Sequence, residues 1–173
     1  MITFKINPPV KSLMPFEATF DPELRQTLSE KRGLLKLCTR VGAMYLNGDP
    51  FGEWYGFDMR YMDEIDDYLD CKQYPHDPDH NYPQFGKLKI DPDFDFYCHS
   101  NSILPGLQGK GYGSIMKAWM LAYLKGTGFT RVLGHAHENG SIQLNEKFGA
   151  KKIHCFENWY DTGHRYWLYE IKL

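Results

Sequence analysis

Residues 103–114 read ILPGLQGKGYGS, with Gly109, Gly111 and Gly113 alternating with Lys110 and Tyr112 between a β-like run and an apolar, helical one. Such residues, placed where a strand turns into a helix, can wrap an anion. Backbone N–H groups from Gln108 to Ser114 would enter the helix without carbonyl partners, and the helix dipole favours negative charge beside them. Glycine lets the backbone approach closely, and Lys110 adds a cation. Two familiar phosphate turns do not fit. A P-loop needs lysine where Tyr112 stands, and the dinucleotide fingerprint needs GxGxxG where this chain has GxGxG. The structural alternative is a close backbone crossing or a merely permissive loop.

Histidines supply the second set of chemistry-bearing residues. His99 lies on the strand leading to Ile103, on the same face, and His135 and His137 alternate along the next strand with Glu138 following. Imidazole titrates near neutral pH, so each is a candidate general base; the alternative is a hydrogen-bonded structural histidine. His135 and His137 could also be read as two metal ligands on one strand face, but no convincing third ligand accompanies them, and no metal is expected.

The elements around these residues follow from period and punctuation. ITFKI alternates as a short opening strand, stopped by Pro8-Pro9. Asp21 as N-cap, Pro22 and Gly33 bound a helix over 22–32. LLKLCTRVGAMYL and FGEWYGFDM form a hairpin about Asn47-Gly48. FDFYCHSNSIL is a strand closed by Pro105-Gly106, SIMKAWMLAYLKG a buried helix, FTRVLGHAH a strand, and NGSIQLNEKFGA a short helix ending at Gly149. KKIHCFENWY, a turn at DTG, and HRYWLYEIKL close the chain as a hairpin. The order predicts one α/β domain over 1–173 built on a single mixed sheet, with 61–93 as an insert.

Composition excludes several classes. The net charge of −2 gives no overall field to recruit nucleic acid or membrane. Charge is nevertheless uneven: residues 58–95 hold 11 acids and 4 bases, and residues 96–173 hold 5 acids and 9 bases. An acidic middle beside a basic C-terminal half suggests a cationic ligand on one side and an anionic one on the other, against the plainer reading of solvated surface. Four dispersed cysteines without a CxxC pair, and no run of 18 apolar residues, predict reduced thiols in a cytoplasmic, non-membrane protein.

The glycine turn also resembles the coenzyme A turn of the GNAT superfamily of N-acetyltransferases, Gln/Arg-x-x-Gly-x-Gly/Ala, through Gln108, Gly111 and Gly113. Ile103-Leu104-Pro105 matches the hydrophobic-x-Pro element before it; Asn139, Leu144, Lys147 and Gly149 match the second family block, and FENWYDTG…YWLYEIKL looks like its closing hairpin. The resemblance is close over 95–173 and rests on element order over 1–60. It implies a mixed, mostly antiparallel sheet flanked by helices, with splayed central strands. It implies acetyl-CoA as cosubstrate: backbone at Ile103 and Leu104 for pantetheine, the run Gln108, Gly109, Lys110, Gly111, Tyr112, Gly113 and Ser114 for pyrophosphate, and Asn139 for the pantetheine or acetyl end. An amine acceptor would attack the thioester directly, with His99, His135 or His137 as base. Where the family often has a proton-donating tyrosine, this chain has Asn145, which leaves three alternatives: another acid, with Tyr160 a candidate, a thiolate that leaves unassisted, or a catalytically silent CoA-binding protein. Asp63, Glu64, Asp66, Asp67 and Asp70, with Tyr68, Tyr74 and Tyr82, would suit a cationic amine; nucleic acid is not expected, and a homodimer is compatible.

Overall fold

The computed structural model describes residues 1–20, 25–61, 64, 85, 88–158 and 163–173. Its elements are β1 (Ile2–Ile6), α1 (Leu28–Leu37), β2 (Arg40–Leu46), β3 (Asp49–Asp58), β4 (Asp95–Ile103), α2 (Tyr112–Gly126), β5 (Arg131–His137), α3 (Ser141–Lys147), β6 (Lys151–Phe156) and β7 (Tyr166–Lys172). Single-turn to longer 3-10 segments occupy Val10–Thr19, Met59–Tyr61 and Pro105–Leu107. The seven strands make one mixed sheet in the order β1-β2-β3-β4-β5-β7-β6. β1–β2, β2–β3, β5–β7 and β6–β7 are antiparallel, and β4–β5 is parallel. This is the mixed, mostly antiparallel sheet expected. The described residues form two compact units, Met1–Phe57 with Cys98–Tyr123 and Asp58–Tyr97 with Leu124–Leu173.

In the first unit, β2 and β3 are buried along nearly their whole length, as strands covered on both faces must be. Leu13, Phe16, Leu34, Met44, Trp54 and Phe57 are buried in this core, as are Met116 and Met120 of α2. The hairpin turn stands at Asn47 and Gly48, both at positive φ (53° and 100°), as the Asn-Gly pair predicts. Gly52 is needed for packing: a Cβ there would lie 2.9 Å from Ile103 Cδ1 and from Met44 Cε. Its absence lets the end of β4 nest against β3, where Leu104 N–H donates to the Phe51 carbonyl at 3.0 Å.

α1 departs from expectation. The helix starts at Leu28, capped by Thr27, and Asp21 and Pro22 lie outside the described residues. Glu30 N–H donates to Thr27 Oγ1 (3.3 Å) while Thr27 N–H donates to Glu30 Oε2 (2.8 Å), a reciprocal box readable in the Thr-Leu-Ser-Glu spacing. Gly33 does not stop the helix, because Lys31 and Leu34 on either side of it are fully buried and hold that turn in place. The following strand therefore begins at Arg40 instead of Leu34.

In the second unit, β5 packs beside β7, whose other neighbour is β6, around Val132, Leu133, Ile142, Leu168 and Ile171. The parallel β4–β5 ladder consists of Asp95↔Arg131, Phe96↔Val132 and Tyr97↔Leu133. Arg131 clamps its start. The guanidinium bonds both carboxylate oxygens of the buried Asp95, donates to the Lys89 carbonyl at 2.7 Å and reaches Glu170 at 3.2 Å. The Asp-Thr-Gly turn of the closing hairpin falls largely outside the described residues, as does most of 61–93.

Candidate active site

The glycine turn is built from short-range constraints. Pro105–Leu107 makes one 3-10 turn, with Leu107 N–H on the Leu104 carbonyl (2.9 Å) and Gln108 N–H on the Pro105 carbonyl (3.3 Å). Gln108 then folds its side chain back, Nε2 donating to the Ile103 carbonyl at 2.8 Å. That bond ties the turn to the end of β4. Gly109 and Gly111 sit at φ +74° and +84°, a region that side-chain-bearing residues enter at a cost, and a Cβ at either would meet nothing within 4 Å. The glycines thus serve backbone conformation and leave open space above it. Ser114 and Ile115 donate their N–H groups to the Gly111 carbonyl (3.1 and 3.3 Å), whereas those of Tyr112 and Gly113 precede any carbonyl one helical turn earlier. Residues 108–111 are exposed, and Lys110 Nζ rests on the Gly106 carbonyl at 3.0 Å, a contact it can give up to an anion. The Tyr112 ring packs edge-on against Phe51 (4.9 Å, 70°), which anchors the first turn of α2.

The backbone beside the turn is partly committed. Leu104 N–H is held by Phe51, and the Ile103 carbonyl already accepts from Gln108, with one lone pair remaining.

His99 is half-buried beside Tyr55 (ring centroids 5.6 Å), which belongs to an ionic knot. At its centre is Lys31, fully buried, with Nζ 2.8 Å from Glu17, 3.3 Å from Glu53 and 3.2 Å from the Tyr55 hydroxyl. Glu17 also accepts the Gln26 N–H at 2.7 Å. Burial pushes Glu53 up to about 7 although Lys31 works against the shift. Burial works to lower Lys31, but Tyr55, Glu53 and Glu17 more than offset it and the ammonium is retained. Burial, and then the Lys31 charge, push His99 down to about 4. An imidazole that acidic is neutral at physiological pH and a weak proton acceptor.

The other two histidines lie in the second unit. His137 Nδ1 accepts the Asn139 N–H at 3.0 Å, which puts the proton of its neutral ring on Nε2; its ring meets His164 (4.9 Å) and Tyr166 (5.1 Å). Asn139 is exposed just before α3, whose start is fixed by Gly140 N–H on Gln143 Oε1 (2.6 Å) and by Gln143 Nε2 on the Glu138 carbonyl (2.8 Å). His135 Nδ1 lies 2.8 Å from the Tyr97 hydroxyl. No group of three potential metal ligands occurs among the described residues, and no described helix is long and apolar enough to cross a membrane. Tyr160 and, Glu64 excepted, the acidic and tyrosine residues named in the insert lie outside the described residues. Cys38, Cys98 and Cys155 are free thiols.

Solved structures share this architecture over nearly the whole chain. The ribosomal-protein-S18-alanine N-acetyltransferase of Escherichia coli superposes with TM-score 0.69 at 10% identity, covering 99% of this chain and 94% of its own. Ard1 of Thermoplasma volcanium gives TM-score 0.70 at 10% identity, covering 99% and 97%. This chain has the GNAT fold. A further neighbour, the NatC complex bound to Gag peptide and CoA, gives TM-score 0.64 at 12% identity, covering 99% and 98%. No protein-family model and no curated protein matches the sequence.

In α3 the structure places Asn145, which stands where the resemblance noted in the sequence led to a tyrosine being expected. Asn145 is buried, and its Nδ2 donates to the Ser141 carbonyl at 3.0 Å, one turn back along the same helix. An amide so placed neither reaches solvent nor carries a labile proton. Sequence reasoning missed Tyr97 and the Lys31 knot. Tyr97 shares a strand face with His99 at period two, which was readable; its pairing with His135 depends on the parallel register, which was not.

Proposed function

We propose that the protein is an acetyl-CoA-dependent N-acetyltransferase acting on a primary amine of a small molecule or a protein. The observation that carries the reading is the turn itself: Gly109 and Gly111 at positive φ, open above, leading into the unpartnered N–H groups of Tyr112 and Gly113 on a helix of 15 residues. Such a surface suits the CoA pyrophosphate, with Lys110 adding a second cationic partner. Ser114, two residues further on, would add its hydroxyl. Pantetheine would lie along β4 and draw on the remaining lone pair of the Ile103 carbonyl and on backbone before it, since Leu104 N–H is held by Phe51.

The chemistry then asks little of the protein beyond placement. A neutral amine nitrogen attacks the thioester carbon, a C–N bond forms, the C–S bond breaks, and a proton must leave nitrogen while the thiolate takes one up. The acidic segment around Asp63, Glu64, Asp66, Asp67 and Asp70 favours a cationic acceptor and disfavours nucleic acid. A second reading, a CoA-binding protein without transferase activity, is favoured by Asn145, whose buried amide replaces a proton donor.

Calorimetry with acetyl-CoA, together with thiol release from it in the presence of polyamines, aminoglycosides and peptides, tests the proposal. Binding with amine-dependent thiol release is expected. Binding without release across the panel selects the second reading, and absence of binding overturns both.

A further inference from the structure

Among the described residues, nothing pairs with the outer side of β1. We infer that this edge is where two copies of the chain join, β1 antiparallel to β1 about a two-fold axis through Phe4, with the exposed face of α2 beside the seam. The inference stands independently of the acetyl-transfer reading.

The backbone shows which groups the edge offers. β1 pairs with β2 without a register shift, from Ile2↔Leu46 to Ile6↔Gly42. Just outside that ladder, Asn47 N–H donates to the Met1 carbonyl (3.2 Å) and Asn7 N–H to the Val41 carbonyl (2.8 Å). Hydrogen-bonded pairs alternate in an antiparallel ladder, so the odd-numbered residues of β1 bond to β2. The N–H and C=O groups of Ile2, Phe4 and Ile6 therefore point to the open side, and Thr3, Phe4 and Lys5 are exposed. The strand at the other end of the order, β6, is guarded: it exposes Lys151 and Lys152, and its register shifts between Lys152 and His154. β1 has no such shift. Side chains add an apolar surface. Phe4 is 43% exposed although its ring lies 4.9 Å from that of Trp119 on α2. Between Tyr112 and Tyr123 the exposed residues of α2 are Ile115, Ala118 and Ala122, all apolar, while Lys117 is fully buried. Ile115 and Ala122 lie about one turn to either side of Trp119 on the same face. A helix that is apolar on its outer face as well as its inner one calls for a cover.

The occupant is a second copy because the edge matches itself. In either direction Ile2-Thr3-Phe4-Lys5-Ile6 reads apolar, polar, aromatic, polar, apolar. With Phe4 on the axis, Phe4 pairs with Phe4 and Ile2 with Ile6 of the other copy, each pair exchanging two N–H···O bonds from groups already aimed outward. Pairing even with odd residues would leave those groups unmatched. Charge fits as well: Lys5 of one copy faces Thr3 of the other, so no like charges stand opposite across the seam. The Lys5 ammonium lies over the Tyr45 ring (4.4 Å), on the face away from Phe4. A two-fold axis normal to the sheet keeps both Phe4 rings on the α2 side. Five residues of strand cover less than the about 800 Å² per partner of a standard interface, so the α2 surface is part of the contact.

Light scattering over a wide concentration range, with residue-resolved amide hydrogen exchange, tests this on the unaltered protein. A dimer is expected, in which the Ile2, Phe4 and Ile6 amides gain protection as concentration rises while those of Thr3 and Lys5 are protected throughout. Because Phe4 faces itself, Phe4→Glu and Phe4→Lys each set like charges opposite one another. Each should weaken dimerisation at least about tenfold, and their equimolar mixture should form the mixed dimer, read by native mass spectrometry. Circular dichroism checks that both variants fold, and the exchange pattern decides the matter without them. A protein monomeric at every concentration overturns the inference and leaves the edge to a strand of another protein. A monomer whose Phe4 amide is already protected overturns it in favour of another segment of the same chain. A dimer with those three amides unprotected, or one that both folded variants leave intact, overturns it in favour of a different surface.

Discussion

The Lys31 knot and the glycine turn belong to one compact unit and handle charge in opposite ways. In the knot, two carboxyls, an ammonium and a phenol are taken out of water and answer one another within 3.3 Å, so the charge is sealed. In the turn, residues 108–111 are exposed, a Cβ at Gly109 or Gly111 would meet nothing within 4 Å, and Lys110 is held only by the Gly106 carbonyl; on the reading proposed above, the partner of these groups comes from outside the chain. Sealed charge contributes to which structure forms; open charge is available to a ligand. Variants in the knot should therefore change stability and leave CoA binding alone, and variants in the turn should do the reverse.

The largest effect is expected from Lys31→Ala. It leaves Glu17 and Glu53 facing each other in the core, and removal of one partner from a buried ionic group costs about 3–5 kcal/mol. Denaturant unfolding reads this directly, and CoA affinity measured well below the melting point should be unchanged. A stability loss under about 1 kcal/mol would show that the ammonium contributes little to the core.

Next comes the pH dependence of the same region. Glu53 is raised from 4.5 to about 7, so between those values the unfolded chain has released a proton that the folded one keeps, and stability falls as pH rises. His99 is lowered from 6.5 to about 4, so in that window the unfolded chain holds the extra proton and stability rises with pH. The two slopes oppose each other. Glu53→Gln removes the falling one, and the variant should gain about 1–3 kcal/mol between the two His99 values where wild type stays nearly flat. Urea midpoints measured across that range decide it; a flat variant would mean His99 is not titrating as its surroundings require.

In the turn, Gly111→Val forces a β-branched residue to φ +84° and places methyl groups over the donors. CoA affinity should fall at least tenfold, about 1.4 kcal/mol, because the phosphates can no longer approach the backbone. The smallest effect belongs to Lys110→Ala. Its ammonium is exposed, so a loss of about three- to fivefold in CoA affinity is expected at low ionic strength, shrinking as salt is added. Equal losses at low and high salt would place Lys110 in packing and not in charge.

The same contrast explains what could be read in advance. The turn was legible because its features are local: glycine spacing, a proline that ends the strand, and a helix that begins at once. The order of helices and strands along the chain was legible for similar reasons, as was the Asn47-Gly48 hairpin. The knot was not, since Glu17, Lys31 and Glu53 come from three separate elements and only tertiary packing brings them together. α1 illustrates an intermediate case. The Thr27–Glu30 box was in the sequence, but an equally valid-looking Asp-Pro start preceded it, and Gly33 read as a stop until burial of Leu34 outweighed its propensity. The Tyr97–His135 bond lay beyond reach because a one-residue change in parallel register would have parted the two side chains.

Amide chemical shifts of the protein during titration with CoA test the central claim most directly. If the start of α2 grips the pyrophosphate, the N–H signals of Gly111, Tyr112 and Gly113 move furthest downfield, and dephosphorylated pantetheine, which lacks the pyrophosphate, leaves them nearly still. Saturable CoA binding with those three signals unmoved would contradict the account.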